Sequence, residues 1–236
     1  MSDESLSIWG LLPEDAELAA LSEMVDCWSR IVVPDEGAFA YNVFTDRSPN
    51  EGRGETEERD QLKTLFEGAK SGMLGDAVSG RSVLYHDLAL TVSMFESPET
   101  YALAPAWYVA TDANQFRVKR VGEDVAAGRT EQLIELTTLA HQRTGAAFTY
   151  AEPLSEAYSL ALHPDRERVS AEELEQLYWL NVFDSAFADA VGRDRLLALD
   201  AYECEELPDG SVSLRVSERP TERDVPKRRR LLEALG

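Results

Sequence analysis

Strand-like runs follow one another in this chain without a helix between them, and this order argues against a regular βαβ alternation. Ser82–Phe95 (SVLYHDLALTVSMF) alternates in its second half, and Ala106–Thr111 (AWYVAT) follows after Pro98. Tyr202–Leu207 and Ser211–Ser217 flank Pro208-Asp209-Gly210, a strong turn signal for a hairpin. Strands joined this closely pair antiparallel, because a parallel pair needs a long crossover. The predicted fold is α+β, a mainly antiparallel sheet with amphipathic helices packed on it, in one domain over residues 1–236.

The other elements fit that class. Leu18, Leu21, Val25, Trp28 and Val32 recur at helical spacing between Pro13 and Val33, with Glu14, Asp15 and Glu17 in the first turn. Ala38–Thr45 (AFAYNVFT) reads as a strand. Asp46–Asp60 has the composition of an exposed acidic loop, and Leu62, Leu65, Phe66 and Ala69 supply the stripe of a following helix. Phe116–Val121 reads as a further strand. Thr130–Arg143 reads as a helix closed by Gly145, and Ala146–Ala151 as the strand after it. Ser170-Ala171-Glu172-Glu173 is a capping box, and Leu174, Leu177, Tyr178, Phe183, Phe187 and Val191 extend the predicted helix to Gly192. A tail over residues 219–236 ends in a short helix, Arg228–Leu235. Gly37–Tyr41 and Gly145–Tyr150 look alike, a similarity short enough to be chance.

The formal net charge is −21, and Lys63, Lys70, Lys119 and Lys227 are the only lysines. Self-repulsion at this charge is strong in dilute buffer and largely screened at about 1 M salt, where the Debye length is about 3 Å. The acids are spread along the whole chain, so the surface reads as adapted to high salt rather than as one docking block. Direct nucleic-acid binding is disfavoured for want of a clustered basic face. The N-terminal MSDESLSIWG lacks the features of a signal peptide, and no stretch approaches the roughly 20 apolar residues needed to span a bilayer. The expectation is a cytoplasmic protein with no membrane partner. Cys27 and Cys204 read as small buried hydrophobes.

Candidate chemistry is sparse. No HExxH, CxxC, Walker, GxGxxG or GxSxG pattern is present, and no cofactor is implied. His86, His141 and His163 read as structural or surface residues. Glu55–Asp60 lacks the ligand alternation of a calcium loop and reads as a solvated helix start. Pro226-Lys227-Arg228-Arg229-Arg230 places cations where they oppose a helix dipole, so Arg228 and Arg229 answer either to the protein's own acids or to a partner. Tyr178 and Trp179 lie on neighbouring faces of the predicted helix. An exposed Trp179 would be an interface anchor.

Tyr178-Trp179-Leu180-Asn181-Val182-Phe183, Gly192-Arg193-Asp194-Arg195-Leu196-Leu197, Glu205–Val212 and the terminal LLEALG resemble the C-terminal part of a family of bacterial immunity proteins. That family is associated with contact-dependent and type VI secretion toxins. The resemblance covers roughly the last quarter of the chain. It implies an α+β protein that neutralises a toxin by binding, without catalysis, and directs attention to Trp179 and to the hairpin around Asp209. The leading expectation is a non-catalytic protein-binding module whose partner is a basic toxin or another protein. The alternative is an enzyme whose site is assembled from scattered carboxylates, Tyr and His86.

Overall fold

The computed structural model describes residues 5–12, 39–45, 48–56, 71–76, 90–95, 106–153, 176–222 and 224–236, with Glu23, Cys27, Gln61, Thr64 and Leu174 as isolated positions. Among them the strands are β1 (Ser5–Leu11), β2 (Phe39–Thr45), β3 (Ser48–Thr56), β4 (Ser71–Asp76), β5 (Leu90–Phe95), β6 (Ala106–Asp112), β7 (Phe148–Pro153), β8 (Leu180–Phe183), β9 (Glu203–Glu206) and β10 (Val212–Arg215). They form one sheet in the order β3-β2-β4-β5-β6-β1-β7-β8-β10-β9. Every neighbouring pair is antiparallel. The helices are α1 (Val118–Val121), α2 (Glu123–Thr144), α3 (Ser185–Val191), α4 (Arg193–Leu197) and α5 (Val225–Glu233), with a 3₁₀ turn over Ala113–Phe116. The class is α+β, as the order of sequence runs predicts.

Two layers of helix enclose the C-terminal half of the sheet. Trp9, Leu11, Phe148, Tyr150, Phe183, Val212 and Leu214 cluster with Ala188 and Val191 of α3, Leu196 of α4 and Leu231 of α5. The opposite face carries α2, held where Trp107 Nε1–H donates to Thr144 Oγ1 at 2.9 Å and where His141 Nδ1 lies 2.9 Å from Thr149 Oγ1. Gly10 lies opposite Trp107 in the β1–β6 register, and a Cβ there would come within 2.0 Å of the indole. The glycine therefore gives the ring its place. Gly145, at φ 63° in the left-handed region, ends α2 as the sequence predicts.

The structure corrects several expectations. The predicted helix up to Gly192 is instead β8 followed by α3, while the Ser170–Glu173 capping box lies outside the described residues. Leu177–Phe183 is almost unbroken in apolar residues, the pattern of a strand covered on both faces. Asn181 diverts the backbone ahead of β8: its Oδ1 accepts the Tyr178 N–H at 2.9 Å, and its Nδ2 donates to the Tyr178 carbonyl at 3.0 Å. Asp184 then caps α3, accepting the Phe187 N–H at 2.6 Å.

Within the expected loop, Ser48–Thr56 forms β3, and its polar, proline-containing sequence suits a sheet edge. The expected strand over 116–121 is the end of the 3₁₀ turn followed by α1. Phe116 alone is buried there, so no alternating face demands a strand. The acidic N-terminus, in which no strand was expected, supplies β1, which lies between β6 and β7. Among the described residues, no helix is long and apolar enough to cross a membrane.

Candidate docking groove

Of the residues singled out from the sequence, Tyr178, Trp179 and Arg228 meet in the interior around Glu152, while Asp209 and Arg229 are exposed. Trp179 is 0% exposed and Tyr178 is 3% exposed, so neither presents the surface anchor that a helix would have offered. Tyr178 stacks on Tyr150 with ring centroids 3.8 Å apart, and burial raises its phenol well above the ordinary range. Trp179 donates Nε1–H to the Ser217 carbonyl at 3.0 Å and its backbone N–H to Glu152 Oε2 at 2.7 Å. Arg228 is buried too, with Nη1 2.8 Å from Glu152 Oε1. Of the two alternatives for the basic cluster, the structure gives Arg228 the protein's own acid. Arg229 is exposed one position further along α5.

Asp209 occupies the hairpin turn, where it accepts the Ser211 N–H at 3.0 Å. Burial works to raise its carboxyl, but bonds from Ser211 and Gln142 outweigh that and hold it below the usual carboxylate range. The Gln142 contact ties the hairpin to the end of α2. His141, beside it, is buried, which pulls its imidazole down to about 4 against the opposing influence of Asp209. It remains neutral near pH 7 and serves packing. Burial, with help from Glu205, pushes the Cys204 thiol up to about 11, as befits an inert thiol. Cys27 is buried as expected. His86 and His163 lie outside the described residues.

Between α2 and β9 runs a groove of about 500 Å³. Ile134 and Leu139 of α2 and Leu207 beyond β9 supply its apolar surface, while Glu131, Glu135 and Glu205 supply carboxylates. Its walls are fixed by local sequence. Leu133, Leu136 and Ala140 turn inward and are buried, which leaves Ile134 and Glu135 on the outer part of the same helix. Gly210 at φ 85° closes the hairpin, and the Leu207 N–H donates to the Ser211 carbonyl at 2.8 Å. Arg215 braces one end, with Nη1 2.8 Å from Glu131 and Nη2 2.6 Å from Glu203. Glu135 and Glu205, both exposed, carry the charge that an incoming group meets.

The sequence places both the hairpin and the α2 helix but not the groove that they wall together. The available signal was Ile134 standing off the leucine stripe with Glu131 and Glu135 one turn apart. A second cavity, about 560 Å³, is lined by Arg117, Lys119, Arg219, Thr221 and Glu222. Its cationic character is reduced where Arg219 bonds both Glu123 and Glu218.

In three-dimensional comparison the chain is similar to the Pseudomonas aeruginosa T6SS protein PA0821. The TM-score is 0.53 with 11% identity, over 98% of this chain and 72% of that one. At this identity the likeness is one of fold. No family model matches the chain, and no curated protein matches it.

Proposed function

We propose that the chain is a non-catalytic protein-binding module that receives its partner in the groove between α2 and β9. The observation that carries the reading is the groove itself: an apolar surface from Ile134, Leu139 and Leu207 bordered by Glu135 and Glu205. Apolar contact supplies affinity in such a site, while the carboxylates select a cationic partner and speed encounter. The fold likeness to a T6SS protein and the C-terminal resemblance to immunity proteins support a secretion-associated setting, with toxin neutralisation as the form that binding takes. Cytoplasmic residence and adaptation of the −21 surface to high salt belong to the same reading.

The test is paired capture from native lysate at high salt, with the wild-type chain and an Ile134→Asp/Leu207→Asp variant as baits. The reading expects a partner on the wild type that is absent from the variant while the variant's circular dichroism is unchanged. The same proteins on both baits, or none on either, would overturn it.

A further inference from the structure

Among the described residues, the groove has an open sheet edge along one wall. β9 is the terminal strand of the sheet and pairs only with β10 among the described strands. The Leu207-to-Ser211 bond and the register from Val212↔Glu206 to Arg215↔Glu203 fix its phase. In an antiparallel ladder the backbone groups alternate between the two neighbours, so those of Glu203 and Glu205 turn to β10. Those of Cys204 and Glu206 turn to the open side.

The side chains alternate as well. Glu203 and Arg215 share the α2 face, and Glu205 borders the groove on that face. Glu206 lies on the other face, where its Oε1 accepts from Arg193 Nη1 at 2.7 Å. A strand added beside β9 would therefore hang every second side chain over the groove, next to Glu205 and toward Glu135.

We propose that the partner segment docks by β-strand addition to β9 and carries Lys or Arg at alternate positions. This rests on the groove reading above and names its occupant. Charge decides which strand is admitted. A second copy of this edge would set Glu203, Glu205 and Glu206 against their own kind, and a neutral strand would desolvate carboxylates without compensation. The acids that reject self-association accept a basic guest.

The probe is the capped peptide Lys-Val-Lys-Val-Lys-Val-Lys, with its Glu-for-Lys counterpart as the control. Titration should show binding of the basic peptide alone, weakening as salt rises from about 0.1 M toward about 1 M. Hydrogen exchange should show new protection at the Cys204 and Glu206 amides. Glu135→Lys/Glu205→Lys should lower affinity by roughly tenfold or more. Glu206→Pro removes an N–H that β10 does not use, so its melting transition should persist while peptide binding is lost. Absence of binding, binding of both peptides alike, or binding without protection at Cys204 and Glu206 would each overturn strand addition. If partner capture fails with the Ile134→Asp/Leu207→Asp bait yet survives Glu206→Pro, the groove reading stands and strand addition falls. If capture survives both, both fall.

Discussion

Substituting Glu152 separates the two roles open to the basic C-terminal cluster. Glu152 is 0% exposed, and its two oxygens receive Arg228 Nη1 at 2.8 Å and the Trp179 N–H at 2.7 Å. The Arg228 side chain is itself only 8% exposed. In Glu152→Gln the amide oxygen can still accept from Trp179, so the change removes the charge and little else. The buried guanidinium then loses this counter-charge, and breaking a buried pair from one side costs about 3 to 5 kcal/mol. For a chain of this size each kcal/mol moves the melting temperature by about 2 to 4 °C, so the drop should be on the order of 6 to 20 °C.

Arg228→Met should cost as much, because the buried carboxylate then loses this guanidinium instead. Glu152→Gln/Arg228→Met removes both charges of the pair and should be more stable than either single variant. Arg229→Met, exposed on the same helix, should stay within about 0.5 kcal/mol of wild type. The assay is thermal and urea unfolding of the four variants at low and high salt, and the losses should persist at high salt because a buried pair is little screened. Single-variant losses under about 1 kcal/mol, or a double-variant loss equal to their sum, would refute the ion pair as the tie between α5 and the sheet.

Gly10→Ala should destabilise by about 1 to 3 kcal/mol through overpacking against Trp107, and an unchanged urea midpoint would show that the indole does not sit there. His141, with a native pKa of about 4 against 6.5 for the unfolded chain, makes stability fall as pH falls through that window, because the unfolded chain takes up the proton first. The loss is about 3 kcal/mol at the acid end, and the difference curve between wild type and His141→Gln, measured by urea unfolding at each pH, should show it. Melting in KCl from low to multi-molar concentration should show a rising midpoint; a flat response would end the salt-adaptation reading of the −21 surface.

Legibility tracked how locally each element is determined. The α2 stripe, its Gly145 stop and the Pro208-Asp209-Gly210 hairpin carry their signals within a few residues, and each formed where the sequence places it. β8 does not, because its strand state depends on β7 and β10 closing on either side and on Asn181 folding back to Tyr178. β1 depends on partners as distant as Tyr108 and Tyr150, which sit opposite Trp9 in the two ladders. β3 hid because a sheet edge tolerates the polar composition of a loop. The groove was invisible for the same reason as β1: Glu135 and Glu205 are unremarkable singly and become a site only when α2 lies across the hairpin.

With four lysines among 23 basic residues the cations are nearly all arginine, and these contacts give that composition a physical reason. Arg215 spans Glu131 and Glu203, Arg219 spans Glu123 and Glu218, and Arg193 spans Asp189 and Glu206 while also reaching the Gly210 carbonyl at 2.6 Å. Each guanidinium joins acids on separate segments, a task that suits a planar fork of five donors better than a point-charged ammonium. Arg228 adds a buried case of the same use of charge. In these contacts the cations bind inward, to the protein's own carboxylates. The outward balance is thereby left to acids such as Glu135 and Glu205, so the internal use of arginine and the anionic groove are two consequences of one charge distribution.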